Sequence, residues 1–558
     1  MKALAYLGLT RTFTVNQLIL LISIYFVAVF NFTFVRGSLT AIVSLETYNP
    51  FFLLSVPLLL LALVVLLFSL LSLVFVKSVF KPLLITLVLL SSMVFYADVT
   101  YGVVFDYGMI QNAFESHTAE ALSYLNIYIM LFLLVFAIFP ALWLLKVKVN
   151  HQPWGREVGQ RFKLVILSVS AIAVIAYGFY PNYAAVGRNN SALKKHLIPF
   201  QYLSSSYKYI NRNYLSEPLV FKILDESPQQ LPVLPREKNV TVMVVGETAR
   251  AKSFAYNGYE KNTNPYTEKL QLLSFANMHS CGTATAVSVP CMFSALPRED
   301  FSKRKAQSQQ NLLDLARLAG VDVLWLDNNS GCQGVCKRVN NKRIKPDESH
   351  ALCDGDYCFD EILLEPLTEK LARLEQPSTL IVLHMIGSHG PTYYRRYPKE
   401  HALFLPDCRR SDIQNCSQQA LINTYDNTIA YTDFVLAKII KQLTLLPRDI
   451  KANLLYVSDH GESLGEKGSY LHGFPYALAP KEQKHIPMLW WQADKQVLAE
   501  KSCWQQLSKQ AYDHDNIFHS MLGLLNIASS TYNQALDIFS GCRTDLRLTK
   551  ISGRDGWW

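Results

Sequence analysis

No cysteine occurs before Cys281 in a chain of 558 residues, and charged residues make up only 17% of it. The scarcity of charge is uneven. Met1–Lys163 holds ten Lys or Arg and six Asp or Glu, against 43 and 38 in the remainder. Half the composition is apolar and mean hydropathy is positive, which excludes a disordered chain and a simple soluble enzyme. A net charge of +9 over this length leaves no basic footprint for nucleic acid, so no such partner is expected.

What fills the front is apolar. Val15–Val35, Phe51–Val76, Leu83–Ala97, Leu125–Leu145 and Leu164–Tyr180 approach the roughly 20 helical residues that cross a bilayer. Five spans are expected. The first is too long for a cleaved signal peptide, and no small-residue cleavage site follows before Arg36. Loop charge sets the orientation. Lys2, Arg11, Lys77, Lys81, Lys146, Lys148, Arg156, Arg161 and Lys163 stand with a single acid, Glu157. The opposite loops carry Arg36 against Glu46, Asp98, Asp106, Glu115 and Glu120. Basic flanks stay in the cytoplasm, so an odd number of spans delivers everything after Tyr180 to the other side.

The cysteines agree. All ten lie on the exported side, as the neighbours Cys281/Cys291, Cys332/Cys336, Cys353/Cys358 and Cys408/Cys416, with Cys503 and Cys542 left over. An even number in an oxidising compartment reads as five disulfides, paired here by proximity. A zinc ribbon on Cys332 and Cys336 lacks a partner pair at the right spacing. The expected organisation is a transmembrane domain over 1–180, an interfacial or bridging segment over 181–235 and a catalytic domain over 236–558. The bridge mixes apolar residues with Lys and Tyr, as in Tyr207–Tyr214, which suits a bilayer surface or a plain linker; Gln229–Pro235 reads as its hinge.

From Asn239 onward, β-branched runs alternate with helix-period stretches. Val240–Val245, Val321–Leu326, Leu380–Ile386 and Asn453–Val457 read as buried strands, and Asn311–Leu318, Ile362–Leu374 and Gln418–Leu446 as helices. That alternation predicts an α/β domain, a largely parallel sheet sandwiched by helices. Ligands in such sheets bind beyond the strands' carboxyl ends. There the chain places Glu247, Asn329, His389, Asp459, His460 and Glu462, with His384 inside the third strand and His472 a little beyond. Oxygen and imidazole donors without thiolates suit zinc or manganese. The hydroxyl-rich loop Cys281-Gly-Thr-Ala-Thr-Ala-Val-Ser-Val-Pro-Cys291 offers Thr283, Thr285 or Ser288 as a metal-activated nucleophile, and residue chemistry does not choose among them.

Gly246-Glu-Thr-Ala-Arg250, Cys281–Ser294, His384-Met-Ile-Gly-Ser-His-Gly-Pro391, and Ser458-Asp-His-Gly-Glu-Ser-Leu-Gly465 followed by Leu471-His-Gly473 resemble the lipid A phosphoethanolamine transferases, which include the mobile colistin-resistance proteins. The likeness covers essentially the whole chain. It implies an inner-membrane enzyme with a periplasmic catalytic domain of alkaline-phosphatase/sulfatase type; a monomer is expected, though no residue fixes the oligomeric state. It implies Thr285 as nucleophile and Glu247, Thr285, Asp459 and His460 as ligands of a zinc ion, with a second ion during turnover. His389 and His472 fall at catalytic positions, and Asn329, His384 and Glu462 at substrate-binding ones. The implied donor is phosphatidylethanolamine, the acceptor lipid A, and the consequence weaker binding of polymyxin-like peptides. Gln333 departs from members that carry Lys there. The rivals are a lipopolysaccharide core sugar or periplasmic glucan as acceptor, and a non-catalytic membrane-anchored binding protein.

Overall fold

A computed structural model describes residues 12–43, 49–75, 77–115, 124–190, 192–217, 219–231, 238–410, 413–493 and 501–543. Lys2, Arg11, Glu46 and Glu120 of the charge count, and residues 232–235 of the expected hinge, lie outside them. The chain divides into two units, Met1–Ile110 with Leu125–Tyr209, and Gln111–Tyr124 with Ile210–Trp558.

The first unit is helical. Its elements are α1 (Val15–Tyr25), α2 (Phe32–Val43), α3 (Pro50–Val74), α4 (Lys77–Tyr101), α5 (Ile127–Lys146), α6 (Trp154–Asn189) and α7 (Phe200–Ile210). Among the described residues four helices are long and apolar enough to cross a membrane, and five spans result if the bent pair in Val15–Val43 is one. That pair turns by 64° at Asn31. The cause is local: Asn31 is fully buried, and its amide donates to the Phe26 and Ile198 carbonyls and accepts from the Ile198 N–H. The third span reaches Val79–Tyr101, longer than its apolar run suggests, because Ser91 and Ser92 turn inward and Asp98 caps its end against His196 at 2.8 Å. Part of the expected bridge belongs to this unit. Lys195 pairs with Asp106 at 3.3 Å, and Tyr202 on α7 is buried with its hydroxyl 3.1 Å from Ser91 Oγ.

The second unit is built on eight strands: β1 (Lys238–Gly246), β2 (Leu273–His279), β3 (Asp322–Asp327), β4 (Asn340–Arg343), β5 (Ser378–His384), β6 (Ile450–Ser458), β7 (His485–Gln492) and β8 (Tyr512–Asp513). Their order is β8-β2-β7-β6-β1-β5-β3-β4. β6, β1, β5, β3 and β4 run parallel, while β7 is antiparallel to both β6 and β2. β1 is central, and every residue after Lys238 is buried, which is why its sequence is β-branched on both faces. Helices α8 (Thr285–Met292), α9 (Leu312–Leu318), α10 (Leu364–Leu371), α11 (Gln418–Thr444) and α12 (Asp515–Leu524) accompany the sheet. One apolar cluster joins α8, α9 and α12 to Met243, Phe275, Trp325, Leu455 and Trp490 of five strands. Disulfides join Cys281–Cys291, Cys332–Cys336, Cys353–Cys358, Cys408–Cys416 and Cys503–Cys542.

Candidate active site

The parallel strands β1, β3, β5 and β6 end at one rim, and each hands its next residues to the same spot. Close backbone packing builds it. A Cβ on Gly246 would lie 2.5 Å from the Tyr456 hydroxyl, and one on Gly387 2.7 Å from the Glu247 carbonyl, so only glycine lets the strand ends meet.

Glu247 follows β1, Asp459 and His460 follow β6, and all three are fully buried. Their ligand-capable atoms lie within 4.8 Å of one another. Thr285 is the first residue of α8, the helix end whose free N–H groups favour negative charge. Its Oγ1 is 3.0 Å from Glu247 Oε2 and 3.3 Å from His460 Nε2. The other hydroxyls of the loop do not reach this cluster: Thr283 donates to the Phe474 carbonyl, and the Ser288 hydroxyl is buried without a hydrogen-bond partner. The Cys281–Cys291 disulfide closes the loop around all three.

The donor set suits a divalent cation. His460 Nδ1 donates to the Gly461 carbonyl at 2.9 Å, which turns Nε2 toward the Glu247 and Asp459 carboxylates. Asp459 Oδ1 accepts from the Thr248 and His460 N–H groups, while Oδ2 is buried without a hydrogen-bond partner. An orphaned carboxylate oxygen beside an imidazole nitrogen that faces two carboxylates and a hydroxyl is a fitting arrangement for a metal. Charge agrees. Burial and the Glu247 charge push the Asp459 carboxyl up to about 6, and a dication would lift that penalty. Burial opposes ionisation of Glu247 too, but the hydrogen bond and charge of His460 outweigh it and hold that carboxyl well below the usual range. Among the described residues the other cluster with metal-ligand types, Cys281, Cys291 and Asp515, has both sulfurs in a disulfide.

Asn329 Nδ2 donates to Glu247 Oε2 and to the Met385 carbonyl, both at 2.8 Å. His384 stands behind it, fully buried, with Nδ1 2.9 Å from Asp327 Oδ2. On the other flank the His472 ring lies 4.5 Å from that of His460 and 5.4 Å from that of His389. Glu462 is fully buried between His472 Nδ1, at 3.3 Å, and the Tyr393 hydroxyl, at 2.9 Å. At Gln333 a cation arrives from another segment: Lys303 Nζ donates to Gln333 Oε1 at 3.0 Å.

Sequence reasoning missed two residues. His514 accepts the Cys281 N–H at Nδ1 and donates from Nε2 to the Ser458 carbonyl, both at 3.1 Å, and so ties the Thr285 loop to the strand that carries Asp459. Arg396 is fully buried and holds the His389 carbonyl at 2.8 Å. Both act on backbone atoms, which leave no motif.

Comparison with known proteins decides the family. Residues 239–527 match the sulfatase family model, and 63–214 match the model for phosphoethanolamine transferase EptA/EptB. The chain is 38% identical over 537 residues to phosphoethanolamine transferase EptA of Escherichia coli K12, covering 94% of this chain and 96% of that one. It is 35% identical to phosphatidylethanolamine transferase Mcr-1 of Escherichia coli, over 81% and 85% of the two chains. The integral membrane lipooligosaccharide phosphoethanolamine transferase A of Neisseria meningitidis superposes with a TM-score of 0.87 at 34% identity, over 96% of this chain and all of that one. The chain belongs to the phosphoethanolamine transferases. As a member of that family it is an integral inner-membrane enzyme with its catalytic domain in the periplasm. Its five disulfides suit that compartment.

Proposed function

We propose that this transferase moves phosphoethanolamine from phosphatidylethanolamine to a phosphate of lipid A, with the group held in passing as an ester of Thr285. The observation that carries this reading is a single hydroxyl, Thr285 Oγ1, meeting the buried Glu247 carboxylate and the His460 imidazole at the strand ends, where Asp459 completes the cluster of ligand-type side chains.

Glu247, Thr285, Asp459 and His460 would hold one zinc ion. Bound there, zinc supplies Lewis acidity that lowers the pKa of the threonine hydroxyl and draws charge from the phosphoryl oxygens. The chain's own groups do the rest. Thr285 Oγ1 forms the bond to the donor phosphorus, and its proton is already shared with Glu247 at 3.0 Å. The diacylglycerol oxygen leaves, protonated by His389 or His472, whose rings stand on the His460 side of the site. Asn329 and Lys303 steady the donor head group, and Glu462 orients His472. A lipid A phosphate oxygen then attacks the phosphothreonine, and Thr285 leaves as the free hydroxyl. The transferred aminoethyl cation offsets negative charge on lipid A, so polymyxin-like peptides bind it less tightly.

The mass spectrum of lipid A from cells with and without the protein tests this. Addition of one phosphoethanolamine unit to lipid A is the expected result. Addition only to a core sugar or a glucan would move the acceptor, and unchanged glycolipids would remove the function.

A further inference from the structure

The helical unit carries a second polar site that the transfer reaction does not use. A cavity of about 210 Å³ has Val15, Leu18, Phe80 and Val149 as its apolar wall and Lys81, His151 and Arg161 as its polar rim. All three rim residues lie at the ends of the spans that the charge distribution keeps in the cytoplasm.

The rim has donors to spare. An ammonium has three N–H groups. Lys81 Nζ spends two, on the Leu145 carbonyl at 2.8 Å and the Val147 carbonyl at 2.9 Å, where α5 ends. Arg161 has a side chain only 5% exposed. Its Nη1 donates to the Ser72 carbonyl at 2.8 Å and its Nη2 lies 3.3 Å from Glu157 Oε1, but its Nε has no hydrogen-bond acceptor. Glu157 Oε1 is also shared with His151 Nδ1 at 2.9 Å. Glu157 is thus the carboxylate that Arg161 and His151 share, and Lys81 adds a further basic side chain to the same rim. A buried guanidinium N–H without an acceptor is costly unless a ligand completes it.

A cationic rim above an apolar wall matches one ligand chemistry, a phosphodiester carried on a lipid. We propose that this cavity binds the head group of an anionic phospholipid from the inner leaflet, its phosphate oxygens taken by Lys81 and Arg161 and its glycerol and first methylenes by the apolar wall. A zwitterionic head group fits less well, because its own ammonium would meet the rim cations.

Native mass spectrometry of the full-length protein, loaded with phosphatidylglycerol or phosphatidylcholine, tests the site. Wild-type protein should retain phosphatidylglycerol about five-fold better, the worth of one Lys or Arg contact near a membrane surface. The preference should persist in Thr285→Ala and fall close to parity in Lys81→Gln. Lys81→Arg should keep it, and His151→Gln, at the more exposed edge of the rim, should reduce it partly; these two variants serve if Lys81→Gln fails to fold. Equal retention of the two lipids by wild-type protein, or an unchanged preference in Lys81→Gln, would overturn the proposal. Soluble glycerol phosphate is the second arm. If it competes as well as the lipid, the ligand is a free phosphate ester and the lipid assignment fails.

Discussion

Thr285 Oγ1 lies 3.0 Å from Glu247 Oε2, although 38 residues separate the two in the chain and one begins a helix where the other follows a strand. The same hydroxyl is 3.3 Å from His460 Nε2, on a second strand end. Three elements thus converge on one oxygen, inside a loop closed by the Cys281–Cys291 disulfide.

Replacing Thr285 with Ala should lower transfer by at least about a thousandfold, as loss of a nucleophile does. Thr285→Ser keeps the oxygen and should retain measurable transfer. Thr283→Ala removes only a hydrogen bond to the Phe474 carbonyl and should leave the rate within about tenfold of wild type. Steady-state assays with purified protein separate the three.

Chelation followed by dialysis should silence transfer, and zinc should restore it. Glu247, Asp459 and His460 lie beyond the strand ends, outside the apolar cluster of the sheet, so circular dichroism should change little while activity disappears. Activity that survives complete metal removal would refute the ligand assignment.

Lys303→Met removes the cation that reaches Gln333. The KM for the phosphatidylethanolamine donor should rise by about tenfold or more with a much smaller change in kcat, since a charge-assisted hydrogen bond is worth about 1.5 kcal/mol or more. Equal losses in kcat and kcat/KM would instead place Lys303 in the transition state.

Acid should weaken the second unit through His519 on α12. This ring is buried and accepts the Asn533 N–H at Nδ1, and burial lowers its pKa from 6.5 to about 4. A folded value below the unfolded one means the unfolded chain binds the extra proton. The stabilisation is therefore whole above pH 6.5 and is lost as pH falls toward 4, by up to about 3 kcal/mol. Urea midpoints measured from pH 7 to pH 4 should decline, and His519→Gln should flatten that decline.

Much of this was legible in the sequence, for physical reasons. Val240–Val245 announces a strand buried on both faces, and the apolar runs announce the spans, because burial and bilayer thickness constrain composition directly. The polar clusters after those strands mark the rim for the same reason: parallel strands aim their carboxyl ends one way. Other elements left weaker traces. Leu273–His279 and His485–Gln492 form the antiparallel part of the sheet, yet the first mixes Ser, Asn and His with its apolar residues and the second carries Pro487. Asn340–Arg343 is an entirely exposed edge strand with no apolar residue. Asn31 breaks the first span through contacts with Ile198, far along the chain, and His514 and Arg396 support the site through backbone carbonyls that any residue could offer.

The most direct measurement is peptide mapping of the enzyme after incubation with phosphatidylethanolamine and no acceptor. Phosphoethanolamine should be found on Thr285 and should disappear when lipid A is added. A label on Thr283, on Ser288 or on no residue at all, in protein that still transfers the group, would contradict an ester of Thr285 as the carrier.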